Sequence, residues 1–172
     1  MGESPRPGPT MIVAPLTPNH SARPPGARIT AIVLHDTGGG NAAGTLAWFC
    51  DPASKVSAHY LIDRDGETYH CVPDERKAWH AGESALWGQA NVNAFSLGIE
   101  LVDDDAAAYP EAQMRATVKL CAALCRQYDI PLNRIVGHEH IALPPGRKAD
   151  PGADFNWCTF LLAVAKVMLE AI

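Results

Sequence analysis

Two histidines and one aspartate stand where buried strands of this chain give way to loops, and together they could hold a metal ion. His35 closes the apolar run 29–35, His138 closes the shorter run 135–138, and Asp150 lies in the loop that follows. Ligands in α/β proteins gather at strand ends of this kind. Two imidazoles and a carboxylate form a common catalytic zinc set, with the fourth position left for water. Pro151 disfavours helical angles at Asp150, and in an extended chain residues i and i+2 share a face. Lys148 then points into the same space as Asp150, a cation placed for a carbonyl oxygen that gains negative charge. Glu100 is the one charge in the apolar run 96–102. A buried carboxylate must find a metal, a cation, a donor or a proton, and service as general base beside an activated water is one solution.

Each of these residues also has an ordinary alternative. A strand-end histidine can be a hydrogen-bonded core residue, a strand glutamate can sit half exposed at a sheet edge, and Arg147-Lys148 can be a solvated turn. The weight rests on the set.

The elements that must position the set are legible from periodicity. Residues 29–35, 56–63, 67–72, 96–102 and 135–138 read as strands. The Arg64-Asp65-Gly66 link joins two of them as a hairpin, which requires at least one antiparallel pair. A short helix is predicted over 42–50, with Leu46, Phe49 and Cys50 on one side. A longer one follows Pro110, with Met114, Val118, Cys121 and Cys125 at helical spacing, and a last one carries Trp157, Phe160, Leu161, Val164, Val167 and Met168. Strands interleaved with helices predict a single α/β domain, a central mixed β-sheet flanked by helices, over residues 29–172. Residues 1–28 hold seven of the fourteen prolines and read as an extended N-terminal arm laid against that domain.

Composition narrows the function. The 172 residues are 47% apolar and 19% charged, an ordinary globular balance. A formal net charge of −5 offers no field for nucleic acid or anionic lipid. No stretch approaches the roughly eighteen apolar residues of a membrane span, and no secretory signal is visible, so a cytoplasmic location is expected. Five cysteines without a C-x-x-C pair argue against a disulfide framework. Cys121 and Cys125 read as small core side chains. Gly38-Gly39-Gly40 lacks the Gly-Lys-Ser/Thr of a phosphate loop.

Several stretches in order carry a resemblance: Ile32-Val-Leu-His35, Val56-Ser-Ala-His-Tyr-Leu-Ile62, Arg64-Asp-Gly66, Lys77-Ala-Trp-His-Ala-Gly82, Phe95-Ser-Leu-Gly-Ile-Glu-Leu101, Val136-Gly-His138 and Pro145-Gly-Arg-Lys-Ala-Asp-Pro-Gly152. Over residues 29–160 the chain resembles the zinc-dependent N-acetylmuramoyl-L-alanine amidases, AmpD-like enzymes related to peptidoglycan recognition proteins. The resemblance implies one Zn2+ held by His35, His138 and Asp150, with Glu100 and Lys148 catalytic. It implies a groove wall at Trp79, His80 and Ala81 and a carboxylate contact at Arg147, and it sets His59 among the substrate-binding residues. Two departures stand out. His140 occupies a position where the family often has Asp, which makes it a rival ligand if 138–140 is extended, and Leu143-Pro144 lengthens the loop before Lys148.

The reaction so implied is hydrolysis of the amide between the lactyl group of N-acetylmuramic acid and L-alanine, with a zinc-activated water as nucleophile. The substrate is peptidoglycan or a muropeptide; a protein partner leaves no mark. Recycling of soluble muropeptides is favoured over a phage-type endolysin acting on intact wall. A non-catalytic peptidoglycan-binding module is the reading from another class, and retention of all five chemical residues counts against it.

Overall fold

The computed structural model describes residues 11–104 and 108–170. In chain order the elements are β1 (Met11–Val13), β2 (His20–Ala22), β3 (Ala31–Asp36), α1 (Ala42–Cys50), β4 (Tyr60–Ile62), β5 (Thr68–His70), β6 (Arg76–Ala78), β7 (Ala85–Leu86), β8 (Gln89–Ala90), β9 (Ser96–Leu101), α2 (Glu111–Tyr128), β10 (Ile135–Gly137) and α3 (Trp157–Leu169). Six strands form the main sheet in the order β1-β5-β4-β9-β3-β10. The β4–β5 pair is antiparallel, as the Asp65-Gly66 turn requires, and the other four pairings are parallel. The sheet is therefore mixed.

Gly66 shows why that turn takes glycine. Its φ is +91°, and a Cβ there would lie 2.8 Å from the carbonyl oxygen of Ala112 at the start of α2. A side chain would be strained and would push the helix off the hairpin.

Alternation along the central strands divides the molecule into two faces. Ile32 and Leu34 of β3 join Leu97, Ile99 and Leu101 of β9 against α2 and α3, where Leu120, Cys121, Leu124, Phe160 and Val164 complete the core. Each large aliphatic side chain buried here contributes roughly 1.5–3 kcal/mol. Cys121 and Cys125 are buried in this core, and all five cysteines are free thiols. The opposite face of the same strands carries Ala31, Val33 and His35 beside Ser96, Gly98 and Glu100, residue against residue. It is small where the helical face is bulky, and that difference leaves room for the site.

Residues 11–28 are more deeply built in than an arm laid on a finished domain. β1 adds an edge strand beside β5, and β2 pairs with β6. Asn19 is buried; its Nδ2 donates to the carbonyls of Phe49 (3.0 Å) and Asp51 (2.7 Å), at and just past the end of α1. Carbonyls at a helix terminus need such partners. Arg23 reaches four carbonyls, those of Asp74, Asn93, Ala94 and Ser96. Three-residue strands flanked by prolines carry no readable period, so polar docking of this kind stays hidden in the sequence. The strands expected over 56–63 and 67–72 are shorter than predicted, with only 60–62 and 68–70 in ladder. Among the described residues no helix is long and apolar enough to cross a membrane.

Candidate active site

The site lies at one end of the parallel strands. His35 is the penultimate residue of β3 and is buried. β10 runs parallel beside it with Gly137 opposite Leu34, so the next residue, His138, falls level with His35. Gly137 lets the Asp150 loop approach: a Cβ there would lie 2.8 Å from Pro151 Cδ and 3.0 Å from Trp157 Cζ2. The loop is fixed by Glu139 N–H donating to the Asp150 carbonyl at 3.0 Å.

The outcome is a triangle of donor atoms. His35 Nδ1 and His138 Nδ1 stand 3.1 Å apart, and each is 3.0 Å from Asp150 Oδ2. Tetrahedral zinc ligands at about 2.0–2.1 Å are roughly 3.4 Å from each other, so the separations are close to those of a shared cation. His138 Nε2 donates to the Ala81 carbonyl at 3.1 Å. A carbonyl only accepts, so Nε2 carries a hydrogen and Nδ1 is the nitrogen turned toward the carboxylate oxygen, which it can face as a lone pair. That arrangement is repulsive without a cation, and the donor set fits one. Among the described residues these three are the group of His, Cys, Asp or Glu that converges in this way.

Glu100 pairs with His35 across β9 and β3. Its Oε2 is buried without a hydrogen-bond partner among the described residues. Burial above all, with Asp150 and Asp36 adding to it and Lys148 opposing, pushes its carboxyl well above the usual carboxylate range. Such a group is ready to take a proton. It opens onto a cavity of about 480 Å³ whose lining includes Asp36, Asn41, Trp48, Val56 and Lys148. Lys148 is exposed and makes no ion pair among the described residues. Lys148 and Asp150 both act on Glu100 electrostatically, and of the two Lys148 lines the cavity. Asn41 and Trp48 were not among the residues singled out from the sequence. Asn41 also caps α1, accepting from Gly44 N at 2.8 Å. Trp48 is 55% exposed on α1, and a large aromatic on the outer side of a short helix is the signal that could have found it.

The residues expected to bind substrate are placed elsewhere. Trp79, His80, Ala81, Arg147 and His59 do not line this cavity. Trp79 is half-buried, its Nε1 donating to Ser21 Oγ at 3.2 Å. Ala81 is fully buried and acts through its carbonyl on His138. Arg147 turns back onto the protein, with Nε on the Leu143 carbonyl (2.7 Å) and one Nη on that of Glu83 (2.8 Å). It latches the lengthened loop to residues 81–83. His140 is not a ligand either. Residues 138–140 form a 3-10 turn rather than a strand, which takes the His140 ring off the shared face, and its Nδ1 accepts from Gly137 N at 2.9 Å.

His59 has no surface for a substrate to touch. Gly98 N–H donates to its Nδ1 (2.9 Å) and its Nε2 faces the Arg76 carbonyl at 3.1 Å. Burial, then the nearby Arg23 charge, pushes its pKa down to about 3. The folded chain refuses a proton that the unfolded chain accepts below about pH 6.5, so His59 lowers stability progressively as pH falls from about 6.5 toward about 3. Histidine-selective NMR should find this ring neutral from pH 8 to pH 5. Titration of His59 at an ordinary histidine pKa would contradict the assignment.

Residues 25–153 match the family described as N-acetylmuramoyl-L-alanine amidase. The chain belongs to that family. The 1,6-anhydro-N-acetylmuramyl-L-alanine amidase AmpD of Citrobacter freundii is 45% identical over 106 residues, which span 62% of this chain and 56% of that protein. The AmpD of Enterobacter cloacae is 35% identical over 161 residues, covering 84% of this chain and 85% of that one. A crystal structure of a selenomethionine AmpD derivative superposes with a TM-score of 0.79 at 34% identity, over 88% of this chain and 93% of that one.

Proposed function

We propose that the chain is a zinc-dependent hydrolase that cleaves the amide between N-acetylmuramic acid and the L-alanine of peptidoglycan stem peptides. One observation carries the reading: three metal-donor atoms meet within 3.1 Å of one another beside a buried glutamate oxygen that has no hydrogen-bond partner among the described residues and a cavity lined by Lys148. His35, His138 and Asp150 are the zinc ligands, two neutral nitrogens and one carboxylate oxygen with a position left open. Zinc, when bound, supplies Lewis acidity that polarises a carbonyl and can lower the pKa of water from about 15.7 to about 7.

The protein's own groups do the rest. Glu100 Oε2 takes a proton as water oxygen adds to the lactyl carbonyl carbon, then returns it to the alanine nitrogen as the C–N bond breaks. The products are the lactyl carboxylate and a free amine. Lys148 faces the oxygen that becomes negative between those steps, and a well-placed donor of this kind is worth about 10²- to 10³-fold in rate. The cavity between α1 and Lys148 receives the substrate beside Glu100, with exposed Trp48 offering an apolar face for a sugar ring.

Soluble muropeptides, met in the cytoplasm, are the favoured substrate. Support comes from the relatives at 35–45% identity whose names specify the 1,6-anhydro sugar. The test is to compare kcat/KM on a soluble anhydro-muropeptide with release of stem peptide from intact sacculi, identifying products by mass. A lactyl acid and a free stem peptide from the soluble substrate are expected. Rapid attack on sacculi with poor turnover of the small substrate would overturn the recycling assignment, and cleavage at any other bond would overturn the amidase assignment.

A further inference from the structure

Residues 80 and 81 touch two corners of the donor triangle and do not line the cavity. Ala81 reaches His138 through its carbonyl, and His80 reaches His35 through its ring. The two amides are clamped together: Asn93 Oδ1 accepts from His80 N at 3.2 Å and Ala81 N at 2.8 Å. The His80 ring lies flat against the bare backbone of β9. A Cβ on Gly98 would stand 2.4 Å from His80 Cγ, so a glycine in the middle of a buried strand is what admits the ring.

Proton positions along this row follow from one fixed end. Ser96 Oγ donates its single hydrogen to the Val92 carbonyl at 2.7 Å. Its contact with His80 Nε2 at 3.1 Å is therefore an acceptance, and Nε2 carries a hydrogen. His80 is buried, with no carboxylate partner among the described residues, and an unpaired buried charge is costly, so the ring is neutral. Its Nδ1 is then a bare acceptor. His35 Nε2, 3.0 Å away, must be the donor, which leaves the lone pair of His35 on Nδ1, facing Asp150 and His138.

We propose that Ser96 and His80 are positioning residues that lock His35 in the Nδ1-bare form that binds the metal. The inference rests on the zinc reading of the site and deepens it. Val92 carbonyl, Ser96, His80 and His35 form a directed row of hydrogen bonds, and the Ala81 carbonyl does the same for His138 in one step. Groups that orient metal-bound histidines typically change metal affinity 10- to 100-fold when lost.

The experiment uses Ser96→Ala, which removes one oxygen, and His80→Phe, which keeps a ring against Gly98 but has no nitrogen. Two readouts are taken: ¹⁵N histidine shifts of the metal-free protein, which report the His35 tautomer, and zinc affinity by competition with a chelator. Wild type should keep the proton on His35 Nε2 throughout. Both variants should show a mixture of tautomers and bind zinc about 10- to 100-fold more weakly. A purely structural role would lower thermal stability and leave the tautomer unmoved. A single Nε2-protonated His35 with wild-type zinc affinity in both variants would overturn the proposal. Should His80→Phe fail to fold, Ser96→Ala decides alone. If wild type binds no zinc at all, the metal reading fails, while the tautomer of His35 still tests the row of hydrogen bonds.

Discussion

Glu100→Gln is expected to fold, to hold zinc as the wild type does, and to lose about 10²- to 10⁴-fold in turnover, the span typical of a general acid–base group. The amide fits the same buried position in β9 and is not among the three converging donors, so neither sheet nor metal should respond. Nothing replaces the chemistry. An amide oxygen cannot hold the water proton, and among the described residues Oε2 is the buried carboxylate oxygen without a partner. Burial also sets the pH profile. With its carboxyl pushed well above the usual range, the wild type should lose kcat/KM on the acid side at a higher pH than an ordinary carboxylate would dictate, because Glu100 must be ionised to act. Lys148→Ala provides the contrast: metal kept, base kept, and about 10²- to 10³-fold lost through the oxyanion. Steady-state kinetics with metal analysis on both proteins is the check. Near-normal turnover in Glu100→Gln would mean that another group is the base.

The division between what could be read and what could not follows from the kind of signal each feature leaves. The central strands, the Asp-Gly hairpin and the three helices were legible because buried faces impose a period on the sequence. The three converging donors were legible too, since His35 and His138 each end an apolar run and Asp150 is marked by its proline. The 11–28 segment was not, because it docks through Asn19 and Arg23 onto carbonyls, and carbonyls have no sequence identity. The roles of His59 and His80 were hidden for another reason. Both adjoin strands just as His35 does, and only the fold tells a ligand from a buried support. One local clue was present. Gly98 interrupts an otherwise apolar strand, a sign that something approaches the backbone closely, and the ring that does so is His80.

Removing a ligand should produce the largest loss. In His138→Ala the donor triangle falls to His35 and Asp150, a pair that cannot enclose a cation as three donors do. Zinc content is expected to drop from about one per chain to background, and turnover by at least about 10³-fold, since both the activated water and the polarised carbonyl depend on the metal. His35→Ala should do the same, with an added cost in stability because His35 is buried and its loss leaves His80 Nδ1 without its donor. His138 is buried as well, and its loss takes a donor from the Ala81 carbonyl, so both variants carry a cost in stability besides the loss of metal. The helical core lies on the opposite face of the sheet, formed by Ile32, Leu34, Leu97 and Ile99 with α2 and α3, so neither change should unfold the chain. Circular dichroism should therefore remain native while metal analysis falls to background, and adding zinc should restore wild type stripped by a chelator but neither variant. Full zinc occupancy in both His138→Ala and His35→Ala would sink the ligand assignment and, with it, the hydrolytic mechanism built on the site.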